Sequence, residues 1–250
     1  MAQRYFIQLS FRGTYFHGWQ NQENATTVQE KLEKSLEVLM RKNISVTGAG
    51  RTDTGVHATY FIAHFDNDEE LTDIKKLIYQ LNHILPNDIA IQSIFPVNSS
   101  AHARFSANSR TYEYRVMFTK DPFEQEFCLF LNHEPDILLL NEASKLLLQY
   151  SDFSSFCKLH SDNKTNICKI IETVWQTVNN KLIFRIKANR FLRDMVRALV
   201  GTMLDVGNNK ISLSEFREII EARNRSKAGT SAPAHGLYLV DIEYPKEIFI

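Results

Sequence analysis

The sequence predicts an α+β fold in which two halves repeat the element order β-α-β-β-α-β. Strict alternation of apolar and polar side chains marks the strands, and recurrence at three and four residues marks the helices. The same order of elements begins again near residue 109, although no sequence repeat is visible. Such halves are ferredoxin-like, and they can share a mainly antiparallel sheet with helices on one face and a cleft on the other. We therefore divide the chain into residues 1–106 and 107–250.

In the first half, alternation from Tyr5 to Phe11 predicts a strand that ends at Arg12-Gly13. Thr27 and Glu30 have the spacing of a capping box, so a helix begins there and continues to about residue 41. The remaining predicted elements of this half are strands at 44–47 and 60–65 on either side of a loop, a helix from 74 to near Pro86, and a strand at 89–97.

The second half shows the same patterns. Two strands flank Asn179-Asn180, a dipeptide that suits the tight turn of a hairpin. Ser212 or Ser214 is placed to cap the last helix. The predicted elements are a strand at 110–119, a helix at 141–150, hairpin strands at 170–178 and 182–188, a long helix at 190–206, a helix at 214–223 and a closing strand at 237–244.

Composition predicts a cytoplasmic globular protein. Lys and Arg together number 29, as do Asp and Glu, so the formal net charge is zero and any basic surface must be local. The three cysteines are an odd number without metal-ligand spacing, which predicts a reduced compartment. The N-terminus lacks the apolar core of a signal peptide, and no run reaches the eighteen or so apolar residues of a membrane helix.

The stretch Gly48-Ala-Gly-Arg-Thr-Asp-Thr-Gly-Val-His-Ala58 predicts an active-site loop between two strands. Glycines in such a loop let a ligand approach the main chain closely. Asp53 lies two residues after Arg51 and between two threonines, so it can be a paired, ionised carboxylate that acts as nucleophile or base. The local alternative is a turn aspartate that caps its own loop.

Asp53-Thr-Gly is also the tripeptide of aspartic proteases, in which two carboxylates share one proton. The available partner is Asp205-Val-Gly207, which lacks the hydroxyl residue and ends a predicted helix. Because those proteases are nearly all β, the sequence disfavours this alternative.

Arginines form two further candidate groups. Arg190, Arg193 and Arg197 recur at i, i+3 and i+7 of the predicted helix, so they form a stripe that suits an anion; a solvated helix face is the alternative. Arginines interleaved with aromatic residues suit RNA backbone contacts and base stacking, with ordinary strand tyrosines as the alternative. The members of this second group are Arg104, Arg110, Arg115, Tyr112 and Tyr114.

Metal and nucleotide motifs are weak. Cys157-x-x-His160 offers two soft ligands, but no second pair is nearby. Gly48-x-Gly50 lacks the later glycine of a dinucleotide fingerprint, and no Gly-Lys-Ser/Thr phosphate loop is present. We predict neither a metal nor a nucleotide cofactor.

Further motifs are spread over nearly the whole chain. They are Phe16-His-Gly-Trp-Gln20, Thr27-Val-Gln29, Gly50-Arg-Thr-Asp-Thr-Gly-Val-His-Ala58, Leu85-Pro-Asn-Asp-Ile89, His102-Ala-Arg-Phe-Ser-Ala107, Arg110-Thr-Tyr-Glu-Tyr114, Asp152-Phe-Ser-Ser-Phe156, Phe191-Leu-Arg-Asp-Met-Val-Arg197 and Ala232-Pro-Ala-His-Gly-Leu-Tyr-Leu239. Together these stretches resemble the tRNA pseudouridine synthase A (TruA) family.

The resemblance implies a pseudouridine synthase fold and the isomerisation of uridine to pseudouridine at tRNA positions 38, 39 and 40, in the anticodon stem-loop, without a cofactor. It identifies Asp53 as the catalytic aspartate. It implies that Arg51 occupies the space vacated by the flipped base and that Tyr112 stacks on or contacts the uracil. It also implies that Arg197 pairs with the catalytic carboxylate.

Family members are homodimers in which one tRNA can touch both subunits, so the resemblance implies tRNA and a second copy of the chain as partners, without a membrane. Candidates for RNA backbone contacts are Arg104, Arg110, Arg190 and Arg193. The segment before Met195 departs from the family pattern, because relatives often have smaller or histidine residues there.

A catalytically idle RNA-binding module built on two RRM-like halves is the competing hypothesis of a different class. Such a module should carry the aromatic and glycine signature of RRM domains on a central strand. That signature is absent from the sequence, and the Asp53 loop would then have no explanation.

Overall fold

The computed structural model describes residues 2–159, 161 and 164–250. Within these residues the helices are α1 (Val28–Met40), α2 (Ile74–Ile84), α3 (Ile137–Leu147), α4 (Met195–Gly207) and α5 (Leu213–Glu221). The strands are β1 (Gln3–Phe11), β2 (Thr47–Gly48), β3 (His57–Asn67), β4 (Ile89–Val97), β5 (Ser109–Met117), β6 (Leu129–Phe130), β7 (Ile170–Val178), β8 (Lys181–Ala188) and β9 (Leu237–Glu243).

The chain divides into two compact units, residues 1–108 with 239–250, and residues 109–238. Residues 239–250 group with the first unit, whereas the sequence-based division placed them in the second half. The prediction of a mixed α/β protein with mainly antiparallel strands is confirmed.

In the first unit, β1 lies between β3 and β4 and is antiparallel to both. Its alternate residues Tyr5, Ile7 and Leu9 are buried, as the alternation predicted. Thr27 caps α1 by accepting a hydrogen bond from the Glu30 backbone N–H, and this predicted start of the helix is confirmed.

The predicted strand at 44–47 is mostly wrong, since pairing with β3 is confined to Thr47 and Gly48. Ile44 and Val46 are nevertheless buried, which explains their alternation. The Val46 backbone bonds to side chains of α1 instead of to a strand: its N–H donates to Glu33 Oε1 (2.8 Å) and its carbonyl accepts from Gln29 Nε2 (2.9 Å). Burial and strand pairing are thus separate properties of this segment.

In the second unit, β8 lies between β5 and β7 and is antiparallel to both, while the short β6 is parallel to β5. The predicted hairpin is confirmed. Asn179 and Asn180 have φ values of 50° and 60°, the left-handed conformation that a two-residue hairpin turn requires. The capping box of α5 is also present, formed by Ser212 and Glu215.

Two helix starts differ from their predictions. α3 begins at Ile137 rather than near residue 141, because Asp136 Oδ1 accepts from the first backbone N–H groups of the helix. The predicted helix 190–206 begins only at Met195, because Asp194 has a φ of 65°, which is left-handed and interrupts the helix. Arg190 and Arg193 therefore do not share a helical stripe with Arg197.

An asparagine on a helix binds the outer strand in each unit. Asn82 of α2 bonds both backbone groups of Ile91 in β4, at 2.7 and 2.9 Å. Asn141 of α3 bonds both backbone groups of Trp175 in β7, each at 3.0 Å. These side chains satisfy strand groups that have no neighbouring strand on that side, and they fix the helix to the sheet.

His64 on β3 is a buried histidine whose Nδ1 accepts a hydrogen bond from the Ala103 backbone N–H (3.1 Å). Burial, followed by the charge of Arg4 and the neighbouring His102, lowers the pKa of His64 to about 4. The ring is therefore neutral at physiological pH, as an acceptor nitrogen requires.

We expect His64 to make the protein acid-sensitive. Because its folded-state pKa lies below the unfolded value of 6.5, its contribution to stability is fully present above pH 6.5 and is lost as the pH falls towards about 4. The loss amounts to about 3 kcal/mol. Urea unfolding between pH 7 and pH 4 measures it, and His64→Asn, which keeps an acceptor without titrating, should flatten the curve. An equally steep curve in the variant would refute the assignment.

Candidate active site

The Asp53 loop, residues 49–56 between β2 and β3, is held by the segment that follows β1. The Gly55 N–H donates to the Phe16 carbonyl, and the Trp19 N–H donates to the Thr52 carbonyl, both at 3.4 Å. Within the loop the Val56 N–H donates to the Asp53 carbonyl (3.2 Å). The motif around Trp19 thus supports the loop that carries Asp53.

Two glycines let these segments approach each other. A Cβ on Gly13 would lie 2.0 Å from the Val56 carbonyl oxygen, and one on Gly18 would lie 2.2 Å from the Thr52 carbonyl oxygen. Gly18 also has a φ of 83°, a conformation that residues with a side chain adopt at a cost. Side chains at either position would push the loop away.

The glycines within the motif serve different purposes, and their proposed role in ligand approach stays a prediction. The absent side chain of Gly48 makes room for the Trp19 ring, whose Nε1 would lie 2.4 Å from a Cβ. Gly55 supplies a φ of 80°. A Cβ on Gly50 would have no protein atom within 4 Å, so Gly50 borders open space.

Side chains of the Asp53 loop differ in their exposure to solvent. Arg51 is exposed and Asp53 is partly exposed, whereas Thr52 is buried. His57, at the start of β3, is 2% exposed, and its Nδ1 accepts from the Gly13 N–H (3.1 Å). The arginine and the carboxylate are therefore accessible to a ligand, while the threonine and the histidine belong to the framework. The Thr52 hydroxyl has no hydrogen-bond partner among the described residues.

In the second unit, Tyr112 lies near the middle of β5 and contacts Phe191 edge to face, with ring centroids 5.1 Å apart. Arg110 on the same strand donates to the Asn189 carbonyl (3.0 Å), and Arg190 donates to the Thr165 carbonyl (3.3 Å). Arg110, a predicted RNA contact, lies two residues before the predicted uracil contact Tyr112 on the same strand. Arg190, another predicted RNA contact, directly precedes Phe191, whose ring touches Tyr112.

Arg197 is held from two sides within the second unit. Its Nε donates to the Ala232 carbonyl (2.7 Å), and its guanidinium lies 3.2 Å from Asp194 Oδ1. The Ser231 hydroxyl donates to the other oxygen of Asp194 and accepts from Arg225 Nη2 (2.9 Å). Sequence reasoning missed this anchoring role of Asp194. The pairing of Arg197 with Asp53 stays a prediction.

The remaining members of the arginine and tyrosine groups divide into two kinds. Arg104 and Arg193 are exposed. Tyr114 is fully buried and donates to the Pro233 carbonyl (2.8 Å), and the Arg115 guanidinium lies 3.8 Å from the centre of the Tyr238 ring. The alternative of an ordinary strand tyrosine therefore holds for Tyr114.

Among the described residues, no group of three metal-ligating side chains is present, and none of the helices is long and apolar enough to cross a membrane. The three cysteines are free and buried. Of the pair Cys157 and His160, the histidine lies outside the described residues. A surface cavity of about 500 Å³ in the second unit is lined by Lys158, Arg223 and Arg225 among others, and no predicted site residue lines it.

A family model described as tRNA pseudouridine synthase matches residues 8–106 and 143–245, which places the chain in a class of RNA-modifying enzymes. Curated relatives named tRNA pseudouridine synthase A are similar over nearly their full length. The protein from Bacteroides fragilis is 50% identical over 249 residues, 99% of each chain. The protein from Azobacteroides pseudotrichonymphae is 51% identical over 246 residues, 98% of each chain.

A more distant relative from Francisella tularensis is 38% identical and covers 98% of this chain and 95% of its own. The chain therefore belongs to the tRNA pseudouridine synthase A family, isomerases that act on tRNA uridines. The family predicted by the sequence motifs is confirmed. A solved Cas6-RT-Cas1–Cas2 complex aligns with a TM-score of only 0.23 at 10% identity, a likeness without weight.

We expect Gly18→Ala to destabilise the Asp53 loop, because the new Cβ would meet the Thr52 carbonyl in a left-handed conformation. The loss should be about 2 kcal/mol or more in urea unfolding. Gly50→Ala is the matched control within the motif, since its Cβ meets no protein atom, and it should stay within about 0.5 kcal/mol of wild type. Equal losses in the two variants would contradict the close backbone approach.

Proposed function

We propose that this protein converts uridine to pseudouridine at positions 38, 39 and 40 of the tRNA anticodon stem-loop, with Asp53 as the catalytic carboxylate. The observation that carries the proposal is the Asp53 loop, whose backbone is fixed by residues 13–19 while Asp53 itself remains partly exposed. A carboxylate whose backbone is held in this way has a fixed position relative to a bound substrate, as a nucleophile or base requires. Family membership supplies the reaction class.

The reaction requires the enzyme to reach a base that is stacked in RNA. Detaching the uracil from C1′, rotating it and rejoining it through C5 conserves all atoms, so no cofactor is consumed. Taking the nucleotide out of its stack costs a few kcal/mol, which protein contacts must offset. We assign this role to Arg51, which is exposed beside Asp53 and fills the vacated space.

Tyr112 is the proposed contact for the flipped uracil. Its ring is partly exposed and is oriented by its edge-to-face contact with Phe191. An aromatic ring with a fixed orientation can stack on any base, and its hydroxyl can also exchange a proton with the ribose. Arg197 is the proposed partner of the catalytic carboxylate. Its fixation by Asp194 and Ala232 supports a role that needs a defined guanidinium position.

The finer architecture belongs to the same proposal. We infer two ferredoxin-like halves. The inference is supported by the matching asparagines Asn82 and Asn141, each of which lies on a helix and bonds the backbone of the outer strand of its unit. We also infer a cytoplasmic homodimer in which one tRNA touches both subunits, as the resemblance to the family implies. RNA backbone contacts are assigned to Arg104, Arg110, Arg190 and Arg193, because a chain of zero net charge must bind a polyanion through local arginines.

We expect Asp53→Asn to reduce pseudouridine formation by more than about a thousandfold, because the amide keeps the shape of the side chain but removes its charge. Fold and tRNA affinity should stay close to wild type. Single-turnover assays with an unmodified tRNA transcript measure the rate. Asp68→Asn is the control, since Asp68 is a carboxylate with 85% of its side chain exposed. Activity of Asp53→Asn within tenfold of wild type would rule out the catalytic assignment.

Arg193→Ala and Arg197→Ala should separate binding from catalysis. Exposed Arg193 is expected to contact a phosphate, so its loss should weaken the binding of all substrate tRNAs alike. The slope of log affinity against log salt should fall by up to about one. Arg197 is anchored within the protein, so its loss should chiefly reduce turnover.

Salt-dependent binding and single-turnover rates of these two variants are measured side by side. If Arg197→Ala loses only affinity, or if Arg193→Ala leaves the salt slope unchanged, the division of roles between the two arginines is wrong.

A further inference from the structure

The loop between β4 and β5 has its backbone held by side chains of the first unit. The Ala103 N–H donates to His64 Nδ1 (3.1 Å), and the Ala103 carbonyl accepts from the Tyr244 hydroxyl (2.6 Å). Arg4 donates to the Ala101 carbonyl (2.8 Å). Ala101 and Ala103 are both buried, so these residues fix the base of the loop rather than its outer surface.

The tip of the loop is held by its own histidine. Nδ1 of His102 lies within hydrogen-bond distance of the N–H groups of Arg104 (3.1 Å) and Phe105 (3.3 Å). Ser106 closes the turn, because its hydroxyl accepts from the His102 N–H and its own N–H donates to the His102 carbonyl, both at 2.9 Å. Burial lowers the pKa of His102, a direction that favours the neutral ring that an acceptor nitrogen requires.

This rigid loop presents a large aromatic side chain to solvent. Phe105 is 76% exposed, although the backbone N–H groups of residues 102–105 are all hydrogen-bonded. Its ring packs on the His102 ring, with centroids 4.4 Å apart, and the Arg104 guanidinium lies 5.5 Å from the Phe105 centroid. The orientation of the ring is thus fixed on the protein side while most of its surface is accessible.

We propose that Phe105 is a stacking platform for an unpaired base of the tRNA substrate and that Arg104 binds the adjoining phosphate. An aromatic ring beside an arginine is the combination that single-stranded nucleic acids bind, because every base has a face to stack and every nucleotide has a phosphate. A protein partner would require a contiguous apolar patch, whereas Phe105 is flanked by a cation and by Ser106. This inference rests on the proposed function only in taking tRNA as the ligand.

The test uses the full chain and an unmodified tRNA transcript, with equilibrium binding as the readout. Phe105→Ala should weaken binding on the order of tenfold, the usual effect of removing one stacking ring. Phe105→Trp should retain affinity, and its emission should be quenched when tRNA is added, above the small contribution of buried Trp19 and Trp175. Phe123, 87% exposed, is the matched control, and Phe123→Ala should bind like wild type. Equal affinities of the two alanine variants, or an unquenched Phe105→Trp, would overturn the proposal.

The salt dependence of binding distinguishes the roles of Arg104 and Phe105. Arg104→Ala should lower the slope of log affinity against log salt by about 0.7, the value for one phosphate of a single strand. Phe105→Ala should leave the slope unchanged, because phenylalanine neutralises no charge. The molar mass of each variant is measured at the concentrations used for binding. A change in mass with Phe105→Ala would assign the ring to a subunit contact and overturn the proposal. None of these readouts depends on whether Asp53 is catalytic.

Discussion

The structure of the candidate site depends on one close approach of two backbone segments, residues 13–18 and residues 52–56. Their separation at Gly13 and Gly18 is smaller than any Cβ would permit. Because this contact fixes Thr52 and Val56, the backbone of Asp53 between them has little freedom to move. The buried His57 adds a hydrogen bond to Gly13 at the edge of the same contact. An aspartate on a flexible turn would lack this support.

The second unit provides side chains of defined orientation by a different means. The left-handed Asp194 ends an irregular segment and starts α4, so that Arg197 lies in the first turn of the helix. The same aspartate then binds that arginine and Ser231. Tyr112 is oriented by Phe191, which belongs to the irregular segment. The interruption that we did not predict therefore contributes to the placement of two predicted site residues.

Elements with local signals could be predicted from the sequence. The Asn179-Asn180 hairpin, the Thr27 cap and the strand at 89–97 are determined by residues within a few positions, and all three are present. The prediction of a strand at 44–47 was mostly wrong because the Val46 backbone bonds to side chains of α1. Alternation along the chain cannot reveal such a contact. Helical spacing of the arginines at 190, 193 and 197 was similarly misleading, since the left-handed Asp194 interrupts it.

The same distinction holds for the site. The sequence predicts Asp53 and its loop as a candidate site because glycines, a carboxylate and an arginine are contiguous, and that assignment stays a prediction. It could not identify Asp194, whose role depends on contacts with Ser231 and Arg197, or Phe105, whose exposure depends on the fold of its loop. Asp136 is a cap that the sequence signal, an aspartate before an apolar run, could have revealed.

We propose that this protein isomerises uridines of the anticodon stem-loop. The most direct measurement is to incubate the purified protein with an unmodified tRNA transcript that carries uridines at positions 38, 39 and 40 and elsewhere. Pseudouridine is then mapped along the transcript at single-nucleotide resolution. We expect pseudouridine at positions 38 to 40 and unmodified uridine in the other arms. Modification confined to another arm, or none with a folded and RNA-binding protein, would contradict it.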